Sequence, residues 1–238
     1  MFALGLFENP FVDEDAAATT IGNEHAAALG ARAQRRSVTW LKNPDRVPER
    51  PGRVYLFVTG RTEADRVQHQ FEEAFHRVFP EAALASSPEE ADLAIVWARP
   101  EIALFEDDQA DRALSMDPQA NGVDVERVQA ICDATPTVLA VNMINPWLLA
   151  ELEPGARTLV ATFEVAPEQL FRALAGEEAG HGAHLPFAVP ASADAIADSP
   201  RDVPGRYLGD EYAYVDADGG ADTPSVSVYS WTGSRPQH

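Results

Sequence analysis

The sequence holds 238 residues with a net charge of −20 and an ordinary apolar content, enough for one large domain with a buried core and too apolar for a disordered chain. Such an excess of carboxylates offers no basic face to phosphate backbones or anionic lipids, which argues against nucleic acid and membrane surfaces as partners. Lys42 is the only lysine, and the single cysteine, Cys132, excludes an intrachain disulfide or a cysteine metal cluster.

No apolar run approaches the length of a membrane span. The opening MFALGLFENPF has no basic residues before its apolar part, so no secretion signal is read there and a cytoplasmic location is the default expectation. Residues 1–15 read as an extended, aromatic arm carrying Phe2, Phe7 and Phe11. From Asn23 to Leu41 an alanine-rich helical spacing puts Arg32, Arg35 and Arg36 on one side. Lys42 and Asn43 then fall at the helix end, where lysine suits the negative pole. The prolines of KNPDRVPERPG make a connector.

Alternation follows. Arg53–Gly60 predicts a strand, and Thr62–Phe79 an amphipathic helix with Val67, Phe71, Phe75 and Val78 on one face. Asp92–Ala98 is a continuous apolar run, as expected for a strand buried on both faces. After an acidic loop come a helix over 123–132, a strand over 137–143 and a short helix in NPWLLAEL. A strand over 157–163 and a helix over 167–176 with a glycine stop complete the pattern. Beyond Gly176 the chain is rich in proline and reads as coil with one further short strand, then a polar, frayed tail.

Strands alternating with helices imply parallel pairing. The expected fold is a three-layer α/β/α sandwich with a mostly parallel open sheet, an extended N-terminal arm and an irregular C-terminal tail. In such sheets ligands sit beyond the carboxyl ends of the strands, where the acidic loop and VNMINPW both emerge.

The loop FEDDQADRALSMD sets Glu106, Asp107, Asp108 and Asp111 within six positions. It reads as a metal site, as half of a catalytic carboxylate pair, or as a solvated loop on an acidic protein. The spelling matches DDxxD, but magnesium sites of that type need facing helices and substrate phosphates, which a loop between strand and helix does not supply. Asn142 and Asn145 flank a strand end and are placed to face a ligand, while Asn145-Pro146 equally fits a helix N-cap followed by proline at N1. His181 and His184 belong to a turn, GHGAHLP, and a pair alone is too few for a metal. Trp97 and Trp147 have faces suited to sugar rings, yet both lie in apolar runs that favour core packing.

In order, LGLFENPFVD, AQRRSVTWLKN, ADLAIVWARP, PTVLAVNMINPWLL and HLPFAVP resemble the C-terminal α/β domain of glycoside hydrolase family 3, which contains β-glucosidases, β-xylosidases and β-N-acetylhexosaminidases. GLFENPFVD resembles the link between that family's two domains, SVTWLKN its helix end, and HLPFAVP its glycine-lysine-leucine-proline turn. RDVPGRYLGDEYAYVDADGG resembles a segment near the end of some bacterial members. The resemblance implies a linker-like arm over 1–22, the α/β domain over 23–215 and a polar tail over 216–238.

It also implies function. Two-domain members carry the aspartate nucleophile in a preceding (β/α)8 barrel, in a Ser-Asp-Trp type segment for which this chain has no counterpart. Many take their acid/base glutamate from a loop of the α/β domain, shortly before an Asp-Arg pair. Asp111-Arg112 occupies that pair here, Asp108 falls at the usual glutamate position and Glu106 stands two residues earlier. Glu106 is therefore the first acid/base candidate and Asp108 the second, with Asp111, Arg112, Asn142 and Asn145 expected to bind the sugar. The substrate would be a β-linked oligosaccharide or aryl glycoside, the partner a barrel domain or a second copy of the chain, with no cofactor and no metal. The alternative is a non-catalytic module that binds carbohydrate or docks onto a barrel.

Overall fold

The structure is a computed structural model, and it describes residues 2–8, 10–43, 51–61, 64–102, 115–178, 185–198, 212, 214–215 and 221–222. In chain order the strands are β1 (Thr39–Lys42), β2 (Arg53–Gly60), β3 (Ala83–Leu84), β4 (Leu93–Arg99), β5 (Thr137–Asn142), β6 (Thr158–Thr162), β7 (Tyr214–Val215) and β8 (Ala221–Asp222). The helices are α1 (Glu14–Thr20), α2 (Glu24–Ser37), α3 (Ala64–Val78), α4 (Val125–Ala134), α5 (Pro167–Leu174) and α6 (Ala193–Asp198).

Six strands form one sheet in the order β1–β6–β5–β4–β2–β3. All neighbours are parallel except β1, which runs antiparallel along β6. The sheet is mixed, mostly parallel, with helices on both sides, so the α/β sandwich read from the sequence is the observed fold.

Strand periodicity divides the core. Ile95 and Trp97 of β4 turn to the face covered by α3 and α5, while Ala94, Val96 and Ala98 turn to the face beneath α4. The first face is aromatic, with Phe71 set 4.5 Å from Phe171 and 5.5 Å from Trp97 between ring centroids. The second is filled largely by aliphatic side chains together with Met143 and the fully buried Trp147. Both tryptophans are core residues, as their apolar neighbours in sequence suggested.

Four local expectations differ from the structure. The helix expected to reach Leu41 ends at Ser37, and Val38 begins an extended run that becomes β1. Val38 and Thr39 are β-branched and buried, and pairing with β6 overrides the weak helical spacing of the stretch. Lys42 therefore ends an edge strand and not a helix.

NPWLLAEL forms no helix either. Trp147 and Leu149, two residues apart, are both fully buried, whereas a helix would turn them about 200° from one another. The segment lies as a strap over the second face, with the Leu148 N–H donating to the Met116 carbonyl at 2.9 Å. Consequently Asn145 caps no helix.

The N-terminal arm is not wholly extended. It contains a 3-10 turn at Phe2–Leu4 and then α1, capped by the Asp13 side chain accepting from the Ala16 N–H at 3.0 Å. Its phenylalanines stay out of the core: Phe2 is 83% and Phe11 85% exposed. The coil after Gly176 holds the short helix α6, which sequence reading missed.

Candidate functional site

The carboxyl ends of β4, β5 and β6 assemble a connected polar cluster. Trp97 on β4 donates its indole N–H to Thr162 Oγ1 on β6 at 3.2 Å, and Thr162 Oγ1 in turn donates to the Val141 carbonyl at 3.3 Å. Trp147 donates its indole N–H to the Asn142 carbonyl at 2.8 Å. Every buried polar atom in this chain of contacts has a partner, which fixes the strand ends relative to each other.

Asn142, 2% exposed, spends its amide on Glu164. Its oxygen accepts from the Glu164 N–H at 2.9 Å and its nitrogen donates to Glu164 Oε1. Glu164 adopts a φ of +50°, in the left-handed region that a non-glycine residue enters at a cost of about 1–2 kcal/mol. The Asn142 amide offsets that cost by holding the turn from both sides.

On its other side Glu164 meets Arg99 at the end of β4, Nη2 to Oε2 at 3.4 Å. The Arg99 guanidinium lies 4.9 Å from the Trp97 ring centroid, a cation–π contact that leaves its buried Nε–H without a partner among the described residues. The Glu164 side chain is 58% exposed, so a carboxylate and a guanidinium meet solvent side by side at the sheet end. Such a pair can grip hydroxyl groups, one by accepting and one by donating.

Glu106, Asp108, Asp111 and Arg112 lie outside the described residues, but both stems of their segment are visible. On the near side Glu101 donates its N–H to the Asn121 carbonyl at 3.0 Å. On the far side Asn121, 5% exposed, donates Nδ2 to the carbonyls of Ser115 and Asp117, both at 2.8 Å. The turn over 118–124 is pinned to β2: Asp124 donates its N–H to Thr59 Oγ1 at 2.8 Å, and Arg61 donates to the Ala120 carbonyl at 3.0 Å. Gly122, at φ +91°, permits that approach, since a Cβ there would lie 2.7 Å from the Arg61 backbone. The described residues on either side of the acidic segment, Glu101 and Ser115, are thus both tied to Asn121.

Of the residues expected to bind sugar, Asn142 is in the cluster but its amide is committed to Glu164. Asn145 is half-buried just beyond it and uses its carbonyl to accept from the Trp147 N–H at 2.9 Å. Arg99, Glu164 and Asn121 were missed by sequence reading. Their positions at the end of β4, just after β6 and after the acidic loop were the available signal. His181 and His184 also lie outside the described residues, while His69 and His76 are exposed on α3. Among the described residues no group of three or more His, Cys, Asp or Glu is arranged to hold a metal ion, and no helix is long and apolar enough to cross a membrane.

The opposite end of the sheet carries a different pair. Lys42 Nζ lies 2.6 Å from Glu153 Oε1, with the side chains 2% and 0% exposed. Tyr212 donates its hydroxyl to Glu153 Oε2 at 2.7 Å. This network joins β1, the strap before β6 and the C-terminal segment.

No family model matches the chain. Over 215 residues it is 31% identical to the protein named probable β-glucosidase C of Aspergillus oryzae, a match covering 85% of this chain and 30% of that protein. It is 26% identical over 209 residues to the periplasmic β-glucosidase/β-xylosidase of Dickeya chrysanthemi, again 30% of the relative. The chain therefore spans about a third or less of the length of these relatives. Among solved structures, a β-glucosidase from Listeria innocua superposes with a TM-score of 0.58 over 92% of this chain and 37% of its own, at 13% identity. A β-D-glucoside glucohydrolase from Trichoderma reesei gives 0.51 over 78% of this chain and 33% of its own, at 14% identity.

The mostly parallel α/β sandwich is thus a fold found in part of each of these solved structures. These similarities support a domain of the glycoside hydrolase family 3 C-terminal type.

Proposed function

We propose that this chain is one lobe of a retaining β-glycosidase, with the nucleophile supplied by a barrel lobe and the proton donor by the acidic segment of this one. Residues 23–215 form the lobe, 1–22 the arm leading to the barrel, and 216–238 a tail. Retention requires two carboxyl groups about 5–5.5 Å apart. Glu106 is the donor to the leaving oxygen, with Asp108 second, and the crowding of Asp107, Asp108 and Asp111 favours a protonated acid among them. Asp111 and Arg112 take the role of sugar-binding residues. The substrate class is a β-linked oligosaccharide or an aryl β-glycoside.

One observation carries this reading. Glu101 and Ser115, on either side of the acidic segment, are both bonded to Asn121, and Glu101 follows two residues after Arg99, whose partner Glu164 is held by the buried Asn142. A proton donor needs such fixed mounting, because misplacement by about 1 Å costs on the order of a hundredfold in rate. Within a two-domain enzyme, Glu106→Gln should slow hydrolysis of a glycoside with a poor leaving group by about 10²–10⁴-fold while sparing an activated nitrophenyl glycoside. An unchanged rate on the poor leaving group rejects Glu106, and the same pair of assays on Asp108→Asn tests the second candidate.

The second reading, a non-catalytic module that docks onto a barrel, draws on the arm. Phe2, Phe7, Phe11, Val12 and Ile21 are each more than half exposed, an apolar stripe suited to burial against another lobe. The two readings share that contact and differ only in whether Glu106 or Asp108 moves a proton.

A further inference from the structure

The far edge of the sheet holds an arrangement that sugar chemistry does not use. β3 pairs with β2 only through Arg53–Ala83 and Val54–Leu84, with the Ala85 N–H adding one bond to the Val54 carbonyl at 2.9 Å. Past that point no described strand lies beside β2 on this side, although β2 continues to Gly60. Gln68 on α3 fills the gap. Its Oε1 accepts from the Val58 N–H at 2.7 Å and its Nε2 donates to the Leu56 carbonyl at 3.2 Å.

That pair of bonds has a specific meaning. In a parallel ladder, a residue facing position i donates to the carbonyl of i−1 and accepts from the N–H of i+1. Gln68 does both around Phe57, so its carboxamide stands where the peptide groups of a neighbouring parallel strand would stand. A cleft of about 310 Å³ surrounds it, lined by Tyr55, Phe57, Leu84 and Ser86 together with Asp65 and Glu72. Both titratable side chains with a charge at neutral pH in that lining are carboxylates, and Glu72 Oε1 already accepts from Gln68 Nε2 at 2.6 Å.

We propose that the β2 edge from Leu56 to Gly60 is a strand-addition site for an extended peptide segment carrying basic side chains, and that Gln68 occupies it in the free protein. The entering segment continues the line of β3, takes over the Leu56 and Val58 hydrogen bonds, and releases Glu72 to pair with a lysine or arginine beside Asp65. Strand addition of this kind draws affinity from main-chain bonds and specificity from alternate side chains. A second copy of this chain is a poor occupant, because two surfaces of net charge −20 repel. The site is independent of the glycosidase reading.

The test uses the full chain, a short fluorescent peptide of alternating valine and lysine, and the same peptide N-methylated on alternate residues so that its charge is kept and its pairing edge is lost. Gln68→Ala should bind the unmethylated peptide about tenfold or more tighter than the wild type. Exchange of the Val58 amide should quicken in the variant and slow again when peptide is added. Gln68→Met, which keeps the side-chain length within α3, should behave as Gln68→Ala does. Equal affinity for the two peptides, no difference between wild type and both variants, or dimerisation of Gln68→Ala without peptide would each overturn the proposal.

Discussion

Lys42–Glu153 and Arg99–Glu164 are ion pairs at opposite ends of one sheet, and their surroundings set their roles apart. The first is dry: both side chains are essentially unexposed, and a tyrosine hydroxyl takes up the second carboxylate oxygen. The second is wet on the glutamate side, loosely spaced at 3.4 Å, and held indirectly through a buried asparagine. A buried pair fixes how segments distant in sequence meet, here positions 42, 153 and 212. An exposed pair contributes little to stability and stays available to a ligand. The comparison assigns folding to one end of the sheet and leaves the other to the chemistry proposed above.

The largest expected effect comes from breaking the dry pair. Lys42→Met leaves the Glu153 carboxylate buried without its cation and should cost about 3–5 kcal/mol in urea unfolding. Adding Glu153→Leu to it should recover most of that loss. If the single variant costs under about 1 kcal/mol, the pair is not the anchor described.

A smaller effect is expected at the wet end. Asn142→Ala strips Glu164 of its two amide contacts and should cost about 1–3 kcal/mol. Glu164→Gly should cost no more than about 1 kcal/mol, because relief of the left-handed φ offsets most of the lost surface pair and of the lost Asn142 Nδ2 hydrogen bond. A large loss from Glu164→Gly would mean that the wet pair also carries the fold.

Cys132, near the dry pair, sharpens the same contrast without any change in stability. Burial, outweighing the Thr137 hydrogen bond and the nearby Lys42 charge, pushes its thiol up from 9.0 to about 11. The thiolate is the reactive form, so alkylation at pH 8 should be about a hundredfold slower than for a free cysteine, and faster as pH rises toward 11. Rapid labelling at pH 8 would show that this end opens to water.

Much of the fold was legible because β4, β5 and β6 are continuous apolar runs that only a doubly covered sheet can bury. β1 was not, since four residues after an alanine-rich helix carry too little signal and its partner β6 lies more than a hundred residues on. The Asn-Pro pair at 145–146 misled for the opposite reason: its local grammar favours a helix start, and the burial of both Trp147 and Leu149 overrode it. Lys42 looked like a helix-end lysine because its carboxylate partner, Glu153, is visible only in three dimensions. At the candidate site the sequence marked the acidic segment and Asn142. It could not reveal Glu164, whose role depends on a left-handed turn, or Arg99, whose role depends on a ring beneath it.

Active-site titration of the purified 238-residue chain on nitrophenyl β-glucoside tests the division of labour between lobes most directly. If the nucleophile resides in another lobe, as proposed, no burst and no turnover above the buffer rate should be seen. A stoichiometric burst from this chain by itself would place both carboxyl groups within it and contradict the account.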